Sequence, residues 1–168
     1  MHEQIKIHNN IFDKDFREYW RNIWVNSKNW ELHGSETVEE MQKGIWRRNF
    51  FNQQIDDEFL KDFICWKISK VTGFTFILKR MYVNCYNKNV GSEWHVDDGD
   101  HTILYYPQEW SQEFSGETVF RVEDKEYRLP YNTNSLVIFP AKTPHIALPH
   151  INPCGYRLTL ALKTEAPK

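Results

Sequence analysis

A chain of 168 residues with 40% hydrophobic and 15% aromatic side chains carries enough apolar surface for one core, so a single domain over residues 1–168 is expected. A net charge of −2 and a pI near 6.4 offer no basic footprint for nucleic acid phosphates, which disfavours a DNA or RNA substrate. No run approaches the ~18 to 20 apolar residues of a membrane span, and Met1, His2, Glu3 and Gln4 lack the start of a secretory signal, so a soluble, cytoplasmic protein with no membrane partner is expected.

The first part of the chain reads as helical. Asp13 is placed to cap a helix in which Phe12, Phe16, Tyr19, Trp20, Ile23 and Trp24 recur at spacings of three and four. Residues 33–44 are polar and read as a loop or short helix, and the basic cluster Trp46, Arg47, Arg48 reads as a solvated edge without a functional role. A second helix is predicted from Asp56 to Val71, with Phe59, Leu60, Phe63, Ile64 and Ile68 on one face, acidic residues in the first turn and Gly73 as its stop.

From Phe74 onward, short β-rich runs alternate with turn residues, and strands are predicted at 75–87, 93–97, 101–107, 117–122, 135–139, 145–149 and 156–163. Residues 1–74 therefore supply supporting helices and residues 75–168 a β core. The class is mainly β (α+β), a sandwich or barrel with the helices packed against one sheet. Cys65, Cys85 and Cys154 are odd in number and widely spaced, and read as buried thiols rather than a disulfide framework.

Alternation within the strands sorts side chains onto two faces. Tyr82, Asn84 and Tyr86 oppose Met81, Val83 and Cys85; Arg157, Thr159 and Ala161 oppose Leu158, Leu160 and Leu162; His95 and Asp97 oppose Trp94 and Val96. If the apolar face is covered, the other face suits a polar ligand pocket. Within Trp94-His95-Val96-Asp97, the period of two puts an imidazole and a carboxylate on the same side, ~6 to 7 Å apart at Cα. His145, in Pro144-His145-Ile146-Ala147, is the candidate third ligand. Two histidines and one carboxylate make the facial triad that holds iron(II) with coordination positions left open. Asp98 and Asp100 are read as solvated, His101 and His150 as surface histidines or histidines one layer behind the site, and His2, His8 and His33 as surface histidines.

The segment from Tyr82 to Lys163, about half of the chain, resembles the catalytic core of the prolyl 4-hydroxylase type of 2-oxoglutarate-dependent dioxygenases. The resemblance rests on Tyr86 followed by His95-x-Asp97, on Ser115-Gly116-Glu117-Thr118-Val119-Phe120, on His145, and on Arg157 beyond it. Ser115 stands where the family's usual run has its first glycine. The resemblance implies a double-stranded β-helix, or jelly roll, with iron(II) at one open end, 2-oxoglutarate as co-substrate and ascorbate as a candidate accessory. It implies hydroxylation of a C–H bond with release of succinate and carbon dioxide. Arg157 would take the distal carboxylate of the co-substrate through a bidentate fork, with Thr159 beside it. Arginine here, where many members have lysine, places the chain nearer the oxygen-sensor subgroup. In that subgroup two tyrosines help hold the co-substrate, and they correspond to Tyr86 and Tyr106, with Tyr105 in reserve; Asn84 shares their face. The expected substrate is a peptidyl-prolyl residue of a peptide or protein, a small molecule being the other option.

Two other readings compete. An alkylation-repair type nucleic acid demethylase shares the Asn84-x-Tyr86 pattern, but the acidic net charge and the absence of an arginine partner six residues after Arg157 stand against it. A non-catalytic cupin-like binding module would have no need of a buried cation facing the metal.

Overall fold

The computed structural model describes residues 2–26, 31–32, 45–49 and 55–167, with side chains described outside 31–32, 45–49 and 55–57. Residues 33–44 and the side chains of Trp46, Arg47 and Arg48 lie outside what is described. Ten strands and two helices are described: β1 (Lys6–Asn9), α1 (Lys14–Val25), β2 (Glu31–Leu32), β3 (Ile45–Asn49), α2 (Ile55–Thr72), β4 (Ile77–Asn87), β5 (His101–Tyr106), β6 (Thr118–Val122), β7 (Lys125–Leu129), β8 (Ser135–Pro140), β9 (His145–Ala147) and β10 (Tyr156–Glu165). A short 3-10 turn at Gln112–Phe114 precedes β6. The strands form a seven-stranded sheet, β1-β8-β5-β10-β4-β3-β2, and a three-stranded sheet, β7-β6-β9, all paired antiparallel. Two facing sheets of this connectivity make the jelly roll.

Helix α1 begins where Asp13 accepts a hydrogen bond from Phe16 N at 2.8 Å, satisfying one of the orphan donors of the first turn. Its inner face, Phe16, Trp20 and Trp24, joins Leu60, Ile64 and Ile68 of α2 over one face of the large sheet, against Met81, Val83, Ile103, Tyr105, Leu158, Leu160 and Leu162. Trp20 stacks on Tyr105 with ring centroids 5.5 Å apart. Gly73 ends α2 at φ +69°, a left-handed position that glycine occupies without a steric penalty. Tyr19 and Phe59, expected in the buried stripes, are exposed, Phe59 at 68%. Each lies at the margin of its helix's apolar arc, and Phe59 rests on Phe63, with rings 6.3 Å apart.

A second core fills the space between the sheets. Tyr82, Leu104, Tyr106, Val137, Phe139 and Ala161 of the large sheet meet Phe120 and Leu129 of the small one, with Tyr131 in the same layer. The alternation in β4 and β10 thus separates a face covered by helices from an interior face, as expected. The segment 93–97 departs from prediction. It makes a single bridge, His95 to His145, rather than a strand, and Trp94 and Val96 are 37% and 50% exposed instead of apolar-face residues. Trp94 lies under the Arg121 guanidinium at 4.2 Å. Cys65 and Cys85 are half-buried, and burial pushes their thiols up to about 12 and about 11, whereas Cys154 is exposed, contrary to expectation. No helix among the described residues is long and apolar enough to cross a membrane.

Candidate metal centre

Backbone pairing brings the first two candidate ligands together. His95 N donates to His145 O at 3.1 Å and His145 N to His95 O at 2.9 Å, so the two histidines sit side by side across the bridge, ring centroids 4.3 Å apart. Asp97 is fixed two residues on, where its N–H donates to Ala141 O at 2.8 Å. The three side chains each offer one ligand atom, and these lie within 4.8 Å of one another. Asp97 Oδ1 is 4.0 Å from His95 Nε2, and Asp97 Oδ2 is 3.4 Å from His145 Nε2.

The donor chemistry suits a divalent ion. His95 Nδ1 lies 2.8 Å from Glu93 O, and His145 Nδ1 lies 2.9 Å from Thr143 O. A carbonyl can only accept, so both Nδ1 atoms carry the proton and both Nε2 lone pairs are left facing Asp97. This is the tautomer a metal requires. His145 and Asp97 are buried, while His95 is exposed and marks the solvent side of the centre. Asp98, as expected, lies outside the cluster, paired with Lys79 and Arg80.

Electrostatics hold the cluster in its ligating form. Burial foremost, then the neighbouring His95, pulls the His145 imidazolium down to about 4. Burial works to raise Asp97, but the charges of Lys163 and His145 and the hydrogen bonds from Lys163 and Thr102 prevail and keep its carboxyl below the usual carboxylate range. Thr102 Oγ1 donates to Asp97 Oδ2 at 2.6 Å, and Lys163 Nζ forms a close ion pair with the same oxygen. Burial lowers the Lys163 ammonium while Asp97 acts to restore it, so each partner sustains the other's charge.

The His145 shift implies a pH response of the metal-free protein. An unfolded histidine titrates near 6.5, so as pH falls from 6.5 toward about 4 the unfolded chain takes up a proton that folded His145 refuses. Stability is therefore present above pH 6.5 and declines across that window; His150, lowered chiefly by burial, adds in the same sense. Thermal melts between pH 7 and 4.5 should show this decline, and His145→Gln should flatten it. An equally steep decline in the variant would remove His145 as its source.

The remaining expected site residues gather around Arg157 on the interior side of the large sheet. Arg157 is 1% exposed; its Nε donates to Gly116 O at 3.0 Å, its Nη1 to Thr159 Oγ1 at 3.0 Å and its Nη2 to Thr118 Oγ1 at 3.3 Å. The rings of Tyr131, Tyr86 and Tyr106 surround its guanidinium at 5.2, 5.6 and 5.9 Å. Tyr86 and Asn84 stand across from Arg157 and Thr159 in the β4–β10 register. Tyr106 Oη shares a 2.9 Å hydrogen bond with Thr118, whereas Tyr105 faces the helices and bonds Asn134 at 3.0 Å, so the two tyrosines lie on opposite sides of β5. Among the described residues no carboxylate pairs with Arg157. Gly116 has φ +86°, and a Cβ there would lie 3.1 Å from His150 Cβ and 3.4 Å from Arg157 Cδ, so the turn lets the backbone close over the arginine.

Of the two options for His150, a surface histidine or one a layer behind the site, the structure takes the second: it is fully buried, 3.0 Å from Tyr86 O. Two features escaped the sequence reading. Tyr131 is buried against Arg157, with its hydroxyl donating to Leu158 O at 2.8 Å. Above all, a cation does stand six residues after Arg157: Lys163, 2% exposed and bonded to Asp97. It continues the interior-facing series Arg157, Thr159, Ala161, and that alternation was the signal that could have found it.

Neither a family model nor a curated protein matches the chain. Solved structures do. A prolyl 4-hydroxylase from Pseudomonas putida superposes with TM-score 0.68 at 16% identity, covering 98% of this chain and 94% of that one. A prolyl hydroxylase from Trichoplax adhaerens, in complex with a hypoxia inducible factor peptide fragment, gives TM-score 0.72 at 16% identity over 96% and 83% of the two chains. The non-haem alpha-ketoglutarate dependent carbocyclase SnoK, from nogalamycin biosynthesis, gives 0.71 at 8% identity over 95% and 78%. The fold is thus the jelly roll of the 2-oxoglutarate-dependent iron(II) oxygenases.

Proposed function

We propose that this chain is a 2-oxoglutarate-dependent iron(II) oxygenase that hydroxylates a C–H bond, with a peptidyl-prolyl residue as its substrate. One observation carries the reading: the guanidinium of Arg157 is buried with no acidic partner among the described residues, and it bonds Thr118 on β6, the strand that pairs with His145 of the His95, Asp97, His145 cluster. A buried cation without a counter-charge is costly, and an anionic ligand relieves that cost. The spacing fits a short dicarboxylate. Thr118, which Arg157 bonds, is two residues along β6 from Phe120, and Phe120 pairs with His145 across β6–β9. One pleat repeat, ~7 Å, therefore separates the arginine end from the metal end, comparable to the length of a five-carbon diacid.

His95, Asp97 and His145 would hold the ion, and Arg157, with Thr159, would anchor the far carboxylate. Bound there, iron(II) would supply the chemistry by which dioxygen, the oxidant, delivers one oxygen atom to the C–H bond as hydroxyl and the other to 2-oxoglutarate, which becomes succinate and carbon dioxide. Phe120 and Phe139 pack around His145 and keep water from the inner side, so substrate approaches from the side of exposed His95. Support for peptidyl proline comes from two fold neighbours that are prolyl hydroxylases, one of them bound to a peptide. The cation six residues after Arg157 keeps the nucleic acid demethylase as the second reading.

The test is an aerobic incubation with iron(II) and 2-oxoglutarate, with and without ascorbate, against proline peptides, amino acids and methylated oligonucleotides. Succinate should form only when iron and 2-oxoglutarate are both present, and mass spectrometry should show a proline peptide gaining one oxygen atom. Demethylated oligonucleotide as the product would establish the second reading. Failure of 2-oxoglutarate to bind the iron-loaded protein would overturn both oxygenase readings in favour of a cupin-like binding module.

A further inference from the structure

The fold alone does not account for Lys163. It lies on the interior face of β10, almost fully buried, where an apolar side chain would fill the same space without the cost of desolvating an ammonium. Around it are Asp97, with which it pairs, Thr102 Oγ1 at 3.4 Å, the Tyr82 ring at 5.7 Å, and the Asp98–Arg80 pair. On Asp97, Oδ2 is engaged by both Lys163 and Thr102, which leaves Oδ1 turned toward His95 as the oxygen free to ligate. Lys163 therefore touches the centre through its carboxylate, and its charge cancels that of the carboxylate before any ion arrives.

We infer that Lys163 is a positioning residue that balances the charge of the metal centre, so that a divalent ion is held firmly only together with an anionic keto acid. The inference rests on the oxygenase reading above and deepens it. Two neutral histidines, one carboxylate and one ammonium sum to zero, so a bound divalent ion keeps its full double charge. The ion alone is held less tightly than a carboxylate unopposed by an ammonium would hold it. The anionic end of a keto acid is drawn more strongly, because it meets a more positive centre. Removing the lysine charge should move the two affinities in opposite directions. A lysine that served only packing would, when removed, weaken both.

The test uses manganese(II), which takes oxygen and nitrogen donors of this kind, with free ion followed by electron paramagnetic resonance and 2-oxoglutarate titrated into the loaded protein by calorimetry. Lys163→Met removes the charge and keeps the length, Lys163→Gln keeps a donor to Asp97, and Lys163→Arg keeps the charge. The Met and Gln variants should bind manganese roughly ten-fold more tightly and 2-oxoglutarate roughly ten-fold more weakly than wild type, with the Arg variant close to wild type. Both affinities falling, or neither changing, would overturn the inference. A measurement on the unmodified protein guards against variants that do not fold: 2-oxoglutarate must tighten manganese binding, and by linkage manganese must tighten 2-oxoglutarate by the same factor. No coupling there would overturn the inference while leaving the metal site standing. A wild type that binds no manganese would overturn the metal reading itself, and this inference with it.

Discussion

Iron(II) titrated anaerobically into the His95→Ala protein should bind more than about a hundred-fold more weakly than to wild type. Changes one layer behind a metal ligand already cost ~10 to 100-fold, and this one would remove a proposed ligand outright. His95 is the most informative of the three positions because it is exposed, so its loss leaves no cavity and the variant should melt close to the wild-type temperature. Asp97→Ala is a poorer probe. It would strand Lys163 as a buried, unpaired charge and cost ~3 to 5 kcal/mol of stability, confusing metal loss with unfolding. His145→Ala would remove a ring packed between Phe120 and Phe139. Undiminished iron affinity in His95→Ala would place the metal elsewhere.

Replacing Arg157 should act on 2-oxoglutarate and leave iron nearly untouched. Arg157→Lys keeps a cation but cannot reproduce three donors aimed at Gly116, Thr159 and Thr118 while also forking onto a carboxylate, so binding should weaken modestly. Arg157→Leu faces the carboxylate with an apolar wall. Truncating one side of a desolvated charge pair typically costs ~2 to 5 kcal/mol, or roughly thirty-fold to several-thousand-fold in affinity. The weak visible charge-transfer band of the anaerobic complex measures both variants, and their melting temperatures separate loss of binding from loss of fold. Equal affinity in all three proteins would remove Arg157 from the site.

What could be read from the chain was whatever obeys a local period. The alternation of Tyr82, Asn84 and Tyr86 against Met81, Val83 and Cys85 decides which side of β4 meets the helices, and the structure keeps that division. The Asp13 cap and the Gly73 stop are likewise local, and both stand. Strand β7 was missed because its hairpin turns on Glu123 and Asp124, with φ of 50° and 61°. A turn needing positive φ at both central residues is normally signalled by Asn-Gly or Asp-Gly. Strand β1 was missed because four residues carry no period that stands out beside the helix signal that follows, and its pairing with β8 is long-range. Lys163 was missed because a lysine late in a strand is ordinarily solvated, and only the partner carboxylate, brought from elsewhere in the sequence, explains its burial.

The place of β10 in the large sheet bears on how the protein folds. Strands β4 and β5 follow one another in sequence but do not pair, since β10 lies hydrogen-bonded between them. The sheet therefore closes only when a strand from some fifty residues after β5 is inserted. Such non-local pairing is entropically slow to form. That same strand carries Arg157 and Lys163, so both ends of the pocket receive their positive charge at the moment of insertion. During refolding, recovery of 2-oxoglutarate binding should track closure of the sheet and lag behind helix formation.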